Sequence, residues 1–439
     1  MVRLITLDPG HFHAALVQKT MYPGVDSTVY VYAPEGNDLK LHIDRIDTYN
    51  VRKDDRTHWK ENIYSGDDYF EKMLKEKEGN VVVLAGNNKK KTEYILRSLE
   101  AGFNVLADKP MVINSNSFET LKKAFDIASR DSLLLYDIMT ERFEITSILQ
   151  RELAMIPEIF GELQKGTPSD PAVVMVSEHN FYKNVSGNVV VRPGWFMDAS
   201  QQGEGIVDVT THLVDLVQWE CFPNQSLDYS KDIIVDSARR WPTVVTNKQF
   251  KTITKLDEVP SYLDKNKLND TAINVWSNGD INYEVKSVHA KVTVRWDYQT
   301  PSGNDTHYSL MKGTKATLLI LQGPDQQYKP TLYIETINND AAYEKTLADQ
   351  MKRIQDKYPG VELKKLTGPV SKGLSNQTTT WEVIIPEKYK EGHESHFARV
   401  TQNYLEYLKN KNMPAWEVPN MLAKYYTTTK ALELSLKNK

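Results

Sequence analysis

The sequence predicts an α/β domain with a parallel, doubly wound sheet, followed by an α+β domain with a large, open, mostly antiparallel sheet. Strand and helix patterns alternate through residues 1–140, as in sheets whose strands are joined by crossover helices. After residue 150, apolar or period-two segments follow one another with few helices between them. The length of 439 residues also exceeds what one hydrophobic core usually serves. We therefore expect two domains, residues 1–140 and residues 141–439.

The elements of the first domain follow from apolar patterning in chain order. Residues 40–66 are longer and more polar than one crossover requires, so we interpret them as an insertion. A cap at residues 114–116 favours the start of the last helix. The predicted strands are 2–7, 27–33, 79–86, 103–108 and 132–138, and the predicted helices are 11–21, 67–77, 90–101 and 117–130.

The sequence of the second domain predicts mainly strands, followed by helices at its end. Residues 339–380, rich in Lys, Asp, Gly and Thr, are expected to decorate the surface. The two closing helices are split by Met413 and Pro414, and we expect them to pack back towards the first domain. The predicted strands are 172–180, 232–241, 286–298, 306–312, 315–321, 330–336 and 380–385, and the helices are 394–410 and 417–437.

Composition excludes several classes of protein. The 54 Lys and Arg against 58 Asp and Glu give a net charge of −4 without a basic segment, which argues against a nucleic-acid surface. Apolar runs stay shorter than the ~18 residues that a membrane helix needs. The single Cys221 excludes an internal disulfide framework and a Cys-rich metal site. A strand at residues 2–7 leaves no room for a secretory signal, so the cytoplasm is expected, with export of a trimmed chain left open.

The stretch LDPGHFHAAL (residues 7–16) joins the first strand to the first helix. A phosphate-binding turn at this place needs free backbone N–H groups and glycines that allow close approach. Gly10 can fill the middle glycine position of such a turn, whereas Asp8 and His13 stand at the outer two. The spacing alone leaves two readings open, a phosphate loop and an ordinary turn.

Two further motifs carry chemistry. In VLADKPMVI (105–113), Lys109 ends a parallel strand, where ligands bind in open α/β sheets, although a lone lysine at a strand end is more often a solvated surface group. In GEGIVDVTTHLVDLVQW (203–219), Asp208 and His212 are four residues apart and are expected to share a helix face. They could form an acid–base pair, two metal ligands or a surface pair. The Lys89–Lys91 run could help to hold an anion, and His393 and His396 are expected at an exposed helix start.

Taken together, these motifs resemble the glucose–fructose oxidoreductase, inositol dehydrogenase and MocA family. Its members have an N-terminal Rossmann domain and a C-terminal domain with a large open sheet. The resemblance covers nearly the whole chain and rests on the order of the motifs. That order is the turn at Gly10, AGFNVLADKPMVI, TERFE, RPGWFMD, the Asp208–His212 segment and MKGTKATLLI.

The resemblance implies an NAD(P)-dependent oxidoreductase that moves hydride between nicotinamide and a secondary hydroxyl of a sugar, polyol or derivative. His212 would be the base, Lys109 would polarise the hydroxyl, and Asp208 would orient His212 or bind a sugar hydroxyl. Glu35 favours NAD over NADP. No metal is expected, and a homo-oligomer, a dimer or tetramer, is expected through the open sheet. The other assignments are Asp8, Gly10, His11, Phe12, Asn87 and Asp108 with Lys109 for the cofactor, and Arg142, His179 and Trp195 for the substrate.

Three departures from the family pattern keep alternatives open. Asp108 replaces the family's Glu, residues 85–93 (AGNNKKKTE) lack the usual Pro and His, and the first turn has lost two glycines. One alternative is an NAD-dependent glycoside hydrolase that oxidises, eliminates and reduces on one sugar. The other is a non-catalytic carbohydrate-binding protein with a vestigial Rossmann domain.

Overall fold

The computed structural model describes residues 1–185, 188–336, 341–370 and 378–437. Its first sheet has six parallel strands in the order β3-β2-β1-β4-β5-β6, so the order reverses between β1 and β4. Each strand except β3 is largely buried, because helices cover both faces of the sheet. The strands are β1 (Leu4–Leu7), β2 (Thr28–Ala33), β3 (Lys60–Ser65), β4 (Val81–Leu84), β5 (Asn104–Asp108) and β6 (Leu135–Ile138). The helices are α1 (His13–Val17), α2 (Asn37–Val51), α3 (Tyr69–Glu76), α4 (Lys91–Glu100) and α5 (Phe118–Arg130).

The predicted insertion at residues 40–66 is wrong. The segment contains most of the crossover helix α2 and all of strand β3, which pairs in parallel with β2. Only His42 and Ile46 of α2 are buried, and β3 is the edge strand of the sheet. Edge strands carry polar residues because one side faces solvent. This part of the sequence therefore lacks the apolar pattern by which the central strands are recognised.

The second sheet has ten strands in the order β12-β14-β15-β9-β16-β17-β18-β20-β19, with β13 beside β14. The β9–β15 pair is parallel, whereas the other pairs in this sheet are antiparallel. Two further pairs, β7-β8 and β10-β11, form separate two-stranded sheets. The strands of the whole second domain are β7 (Gly166–Thr167), β8 (Asp170–Pro171), β9 (Val173–Asn180), β10 (Asn184–Val185), β11 (Asn188–Val189), β12 (Ile233–Thr246), β13 (Lys267–Asn269), β14 (Ala272–Val285), β15 (Val288–Asp297), β16 (Thr306–Lys312), β17 (Thr317–Gln322), β18 (Thr331–Thr336), β19 (Glu362–Leu366) and β20 (Thr379–Ile384).

The helices of the second domain pack on this sheet and return to the first one. Tyr425 and Met421 lie in the core around the parallel sheet, whereas Ala431 and Leu432 of the same helix lie in the core of the second domain. No helix among the described residues has the length and apolar character to cross a membrane. The helices are α6 (Ile145–Ala154), α7 (Ala199–Gln202), α8 (Thr210–Cys221), α9 (Asn247–Thr254), α10 (Ala341–Lys357), α11 (His393–Asn410) and α12 (Glu417–Lys437).

The expectation that residues 339–380 only decorate the surface is wrong for the part that is described. Helix α10 buries Tyr343, Leu347, Met351 and Ile354 in the second core, and β19 pairs with β20. Its apolar residues recur at four- and three-residue spacing among many charges, so one face packs while the other stays polar. Residues 339–340 and 371–377 lie outside the described residues.

Candidate functional site

The turn after β1 is compact and tied to β4. Asp8 adopts a left-handed conformation with φ of 50°, and its carbonyl accepts a hydrogen bond from the Gly10 amide at 2.8 Å. A Cβ on Gly86, after β4, would lie 2.0 Å from the Asp8 carbonyl oxygen. Burial and the charge of Asp38 raise the pKa of Asp8 to about 6, while a hydrogen bond from Tyr94 opposes the rise. The loops after β1 and β4 therefore touch at the point where the strand order reverses.

Trp195 of the second domain lies on this turn. A Cβ on Gly10 would lie 3.0 Å from the Trp195 ring and 3.0 Å from the Asp38 carboxylate. The indole N–H donates to that carboxylate at 2.8 Å, and Asp38 is in the first turn of α2. Glu35, the acid expected near the cofactor ribose, is exposed. Asp38 is thus the acid at the turn, and Trp195 lies on the cofactor side of the cleft.

Asn87 also faces the second domain. Its side-chain amide donates to the Gln201 side chain at 2.8 Å. The neighbouring Asn88 donates from its side chain to the Gln202 carbonyl at 2.7 Å and from its backbone to the Gln201 carbonyl at 2.9 Å. The loop after β4, which lacks the Pro and His of the family pattern, therefore binds α7.

Lys109 and Asp208 form a buried ion pair across the two domains. The Lys109 Nζ lies 2.6 Å from Asp208 Oδ1, and the two side chains are 10% and 7% exposed. The second oxygen, Oδ2, accepts a hydrogen bond from the Gln202 side chain at 2.9 Å. The carboxylate therefore holds the ammonium in one position at the end of β5. Gln202 was not expected here, since nothing in the sequence links it to Asp208.

His212 lies in the first turn of α8, whereas Asp208 lies in the turn before that helix, so the two do not share a helix face. Burial and the charge of Lys109 lower the pKa of His212 to about 4, although Glu141 opposes the shift. The imidazole is therefore neutral at pH 7. Its Nδ1 is shielded from solvent and has no hydrogen-bond partner among the described residues. The structure pairs Lys109 with Asp208 and places Lys109 near enough to His212 to act on its pKa.

Asp108, His11 and His13 meet beside Lys109. The Nδ1 of His13 is 2.9 Å from Asp108 Oδ2, and the Nδ1 of His11 is 3.9 Å from the same oxygen. Burial holds the pKa of both imidazoles well below the usual range. Phe12 lies between them in sequence, with its ring against both imidazoles. Lys91 donates to the Asp108 carbonyl at 3.0 Å, and burial lowers the pKa of Lys91 to about 8.

Glu141 and His393 lie on the open side of this cluster. The His393 Nε2 is 4.0 Å from Glu141 Oε1, and its ring centroid is 5.9 Å from that of His13. Burial would raise the pKa of Glu141, but the charges of His212, His393 and His396 lower it. His393 is exposed as predicted, whereas His396 is buried, so the expectation of an exposed helix start is wrong for His396.

Arg142 points away from this cluster. It makes two hydrogen bonds to Asp215, at 2.6 and 2.7 Å, and two to Glu417, both at 3.0 Å. Lys424, which is fully buried, lies 2.8 Å from Asp215 and 2.6 Å from Asp137. Arg142 therefore joins a buried network under α8, the helix that carries His212.

His179 lies on β9, further along the open sheet. Its Nε2 is 2.8 Å from the Ser177 hydroxyl, and its Nδ1 is 3.5 Å from Asp305. Its ring packs on Trp296 at a centroid distance of 4.9 Å.

Comparisons with known proteins were made for sequence and for structure. A family model described as "Putative oxidoreductase C terminal domain" matches residues 149–436. A second, "Oxidoreductase family, NAD-binding Rossmann fold", matches residues 44–136, which leaves the turn at Gly10 outside its range. No curated protein matches the chain.

Solved structures extend the match to the whole chain. A "putative oxidoreductase" from Parabacteroides merdae is 54% identical with a TM-score of 0.95, and the match covers 100% of this chain and 98% of that one. A levoglucosan dehydrogenase is 10% identical with a TM-score of 0.63, covering 100% and 98% of the two chains. A "putative myo-inositol dehydrogenase" from Sinorhizobium meliloti is 10% identical with a TM-score of 0.57, with the same coverage. The last two concern the fold alone.

Proposed function

Since this chain belongs to the glucose–fructose oxidoreductase, inositol dehydrogenase and MocA family of oxidoreductases, we propose that it oxidises or reduces a secondary hydroxyl carbon of a sugar, polyol or derivative. The N-terminal domain is the NAD-binding Rossmann domain of that family. The observation that carries the proposal is the buried Lys109–Asp208 ion pair, with the neutral His212 beside it.

The turn after β1 has the place in the fold that a nicotinamide cofactor requires, but Trp195 covers this turn. The strand order reverses between β1 and β4, which is where dinucleotides bind in this fold. Trp195 lies on Gly10, so a pyrophosphate at this turn requires the indole to move. The turn at Gly10 would then hold the phosphates, and the nicotinamide would supply hydride transfer. Asn87 and Asn88 would contribute only after releasing Gln201 and Gln202, to which their amides donate.

The protein's own residues account for the proton chemistry. Lys109, held in place by Asp208, donates a hydrogen bond to the substrate hydroxyl oxygen and stabilises the negative charge that develops there. His212 accepts the hydroxyl proton during oxidation and returns it during reduction. We place that proton on Nε2, because Nδ1 is shielded from solvent. Asp208 acts through Lys109, since its oxygens bind Lys109 and Gln202.

Side chains beyond this trio suit a polyhydroxylated substrate. Glu141 and His393 lie on the open side of the cleft, and His179 with Trp296 offers a polar edge and an aromatic face. Such groups bind neighbouring hydroxyls and the apolar face of a sugar ring. Assembly through the open sheet and a cytoplasmic location stay predictions.

The test is a cofactor titration followed by NAD(P)-linked assays on polyols, sugars and glycosides. We expect Lys109→Met and His212→Ala to lower kcat by about 10²–10⁴-fold, while the exposed Lys53→Met and His58→Ala leave it unchanged. Unchanged turnover in both site variants would refute the assignment. Aglycone release without net NADH formation would indicate the glycoside hydrolase instead, and failure to bind NAD(H) would indicate the non-catalytic protein.

A further inference from the structure

Three side chains at the carboxyl edge of the parallel sheet point their ligand atoms at one spot. These are the Nδ1 atoms of His11 and His13 and the Oδ2 of Asp108, which all lie within 4.8 Å of one another. The side chains are 14%, 9% and 5% exposed. From this geometry we propose that His11, His13 and Asp108 bind one divalent transition-metal ion of the zinc class.

The donor set determines the class of ion. Two imidazole nitrogens and one carboxylate oxygen form the three-ligand set of catalytic zinc sites, and they also suit cobalt, manganese and iron. With metal–ligand bonds of about 2.0–2.2 Å, tetrahedral ligands stand roughly 3.3 Å apart. The separations of 2.9 and 3.9 Å from Asp108 Oδ2 lie on either side of that value. Both imidazoles are therefore within about 1 Å of a ligand separation from Asp108, and their own ligand atoms lie within 4.8 Å of each other.

The ligand nitrogen of His11 carries a lone pair. Its Nδ1 accepts a hydrogen bond from the His13 backbone amide at 3.3 Å, and a bound ion would displace this long hydrogen bond. The Asp108 carboxylate has no lysine or arginine within ion-pair distance among the residues that the structure describes. A divalent ion would replace the proton between His13 and Asp108, and would neutralise the buried carboxylate more completely than that hydrogen bond does.

The ligands are held by surrounding structure. The His11 backbone amide donates to the Ala85 carbonyl at 3.1 Å, which fixes the turn to β4. Lys91, only 2% exposed, fixes the end of β5 through the Asp108 carbonyl. The His13 ring packs against Phe397 at 4.6 Å. Such support outside the ligands is what holds metal sites in geometry.

The proposed metal site lies beside Lys109 and leaves part of the ion's coordination open. Asp108 precedes Lys109, whose ammonium is bound to Asp208. Three protein ligands leave at least one coordination position for water or for an oxygen of a bound small molecule. The proposal concerns the ion alone and does not depend on which substrate the cleft accepts.

A second cluster in the chain provides a matched control. His289 lies with its Nδ1 3.6 Å from Asp236 and its Nε2 3.6 Å from Glu284. Its two nitrogens face different carboxylates. The three residues also offer ligand atoms within 4.8 Å of one another, but the set holds one imidazole where the His11 set holds two. Since imidazole suits zinc-class ions and carboxylates suit harder ions, His289→Gln is the control for loss of an imidazole from the weaker set.

The experiment measures metal binding directly. Chelator-stripped protein is dialysed against Zn²⁺ or Co²⁺, and bound metal is quantified by mass spectrometry, with the visible absorption of Co²⁺ reporting the coordination. We expect one equivalent in the natural protein and in His289→Gln. In His11→Gln and Asp108→Asn we expect binding at least about 100-fold weaker, and circular dichroism confirms their folding. If Asp108→Asn fails to fold, the partly exposed His11→Gln decides. Absence of tight metal in the natural protein, or loss of it only in His289→Gln, overturns the proposal.

Discussion

Glu61 is a carboxylate that the fold stabilises poorly. It lies on the edge strand β3, where the Gln18 side chain donates to its Oε1 at 2.7 Å. Its Oε2 is buried with no hydrogen-bond partner among the described residues. Burial and the charge of Asp47 raise its pKa from 4.5 to about 7, although the Gln18 hydrogen bond opposes the rise. Replacing Glu61 with Gln should therefore stabilise the protein in a pH-dependent way.

The magnitude follows from the two pKa values. Below pH 4.5 the carboxyl group is protonated in the folded and the unfolded chain, so it does not lower the free energy of unfolding. Between pH 4.5 and 7 only the unfolded chain ionises, and the natural protein loses about 1.36 kcal/mol for each pH unit. Above pH 7 the loss is complete at about 3 kcal/mol. Glu61→Gln keeps the acceptor for Gln18 and removes this loss.

Urea denaturation between pH 4.5 and pH 8, followed by circular dichroism, provides the assay. We expect the free energy of unfolding of the two proteins to agree at pH 4.5 and to differ by about 3 kcal/mol at pH 8 in favour of the variant. The exposed Glu78→Gln is the control for removing one negative charge from the same domain. A difference that is the same at both pH values, or a natural protein that is the more stable at pH 8, would refute the reasoning.

Three further predictions concern other parts of the chain. Lys424→Met leaves Asp215 with one buried cation fewer and should lower the free energy of unfolding by about 3–5 kcal/mol; an unchanged urea midpoint would contradict this. Gly205→Ala places a Cβ 1.7 Å from the Ser277 carbonyl oxygen, so we expect a loss of at least about 3 kcal/mol, and thermal unfolding would show it. Trp195→Ala removes the ring from the cofactor turn and its hydrogen bond, worth about 1 kcal/mol, so calorimetry should show NAD binding several-fold tighter; weaker binding would count against the covering role.

Local patterns were sufficient for the central strands and for most helices. Strands β1, β4 and β5 are continuous apolar runs because both of their faces are buried, and their boundaries agree closely with prediction. The polar edge strand β3 lacks that pattern. Strand β14 was missed because Asn278-Gly279 reads as a turn. In the structure Gly279 lies within the strand. A Cβ at this position would lie 2.7 Å from the Ile206 side chain. The glycine marks a close approach between segments instead of a turn.

The residues of the candidate site also fall into those that the sequence predicted and those that it did not. Lys109 and His212 were chosen from two separate motifs, residues 105–113 and 203–219. In the structure Lys109 pairs with Asp208 and lowers the pKa of His212. The partners Gln202 and Asp38 were missed, because no motif in the sequence marks these hydrogen bonds. Arg142 was assigned to the substrate through the resemblance, yet its guanidinium binds two carboxylates under α8. Whether the assigned residues act on cofactor and substrate stays a prediction.

Helices α11 and α12 complete the core of the first domain although they follow the whole second domain in sequence. Phe397, Tyr404, Met421 and Tyr425 lie in the same buried cluster as the parallel strands. During synthesis the first six strands leave the ribosome long before these side chains exist, so the early domain has an open apolar face until translation is nearly finished. The last helix contributes Ala431 and Leu432 to the core of the second domain as well, so both cores are completed only when the end of the chain has been made.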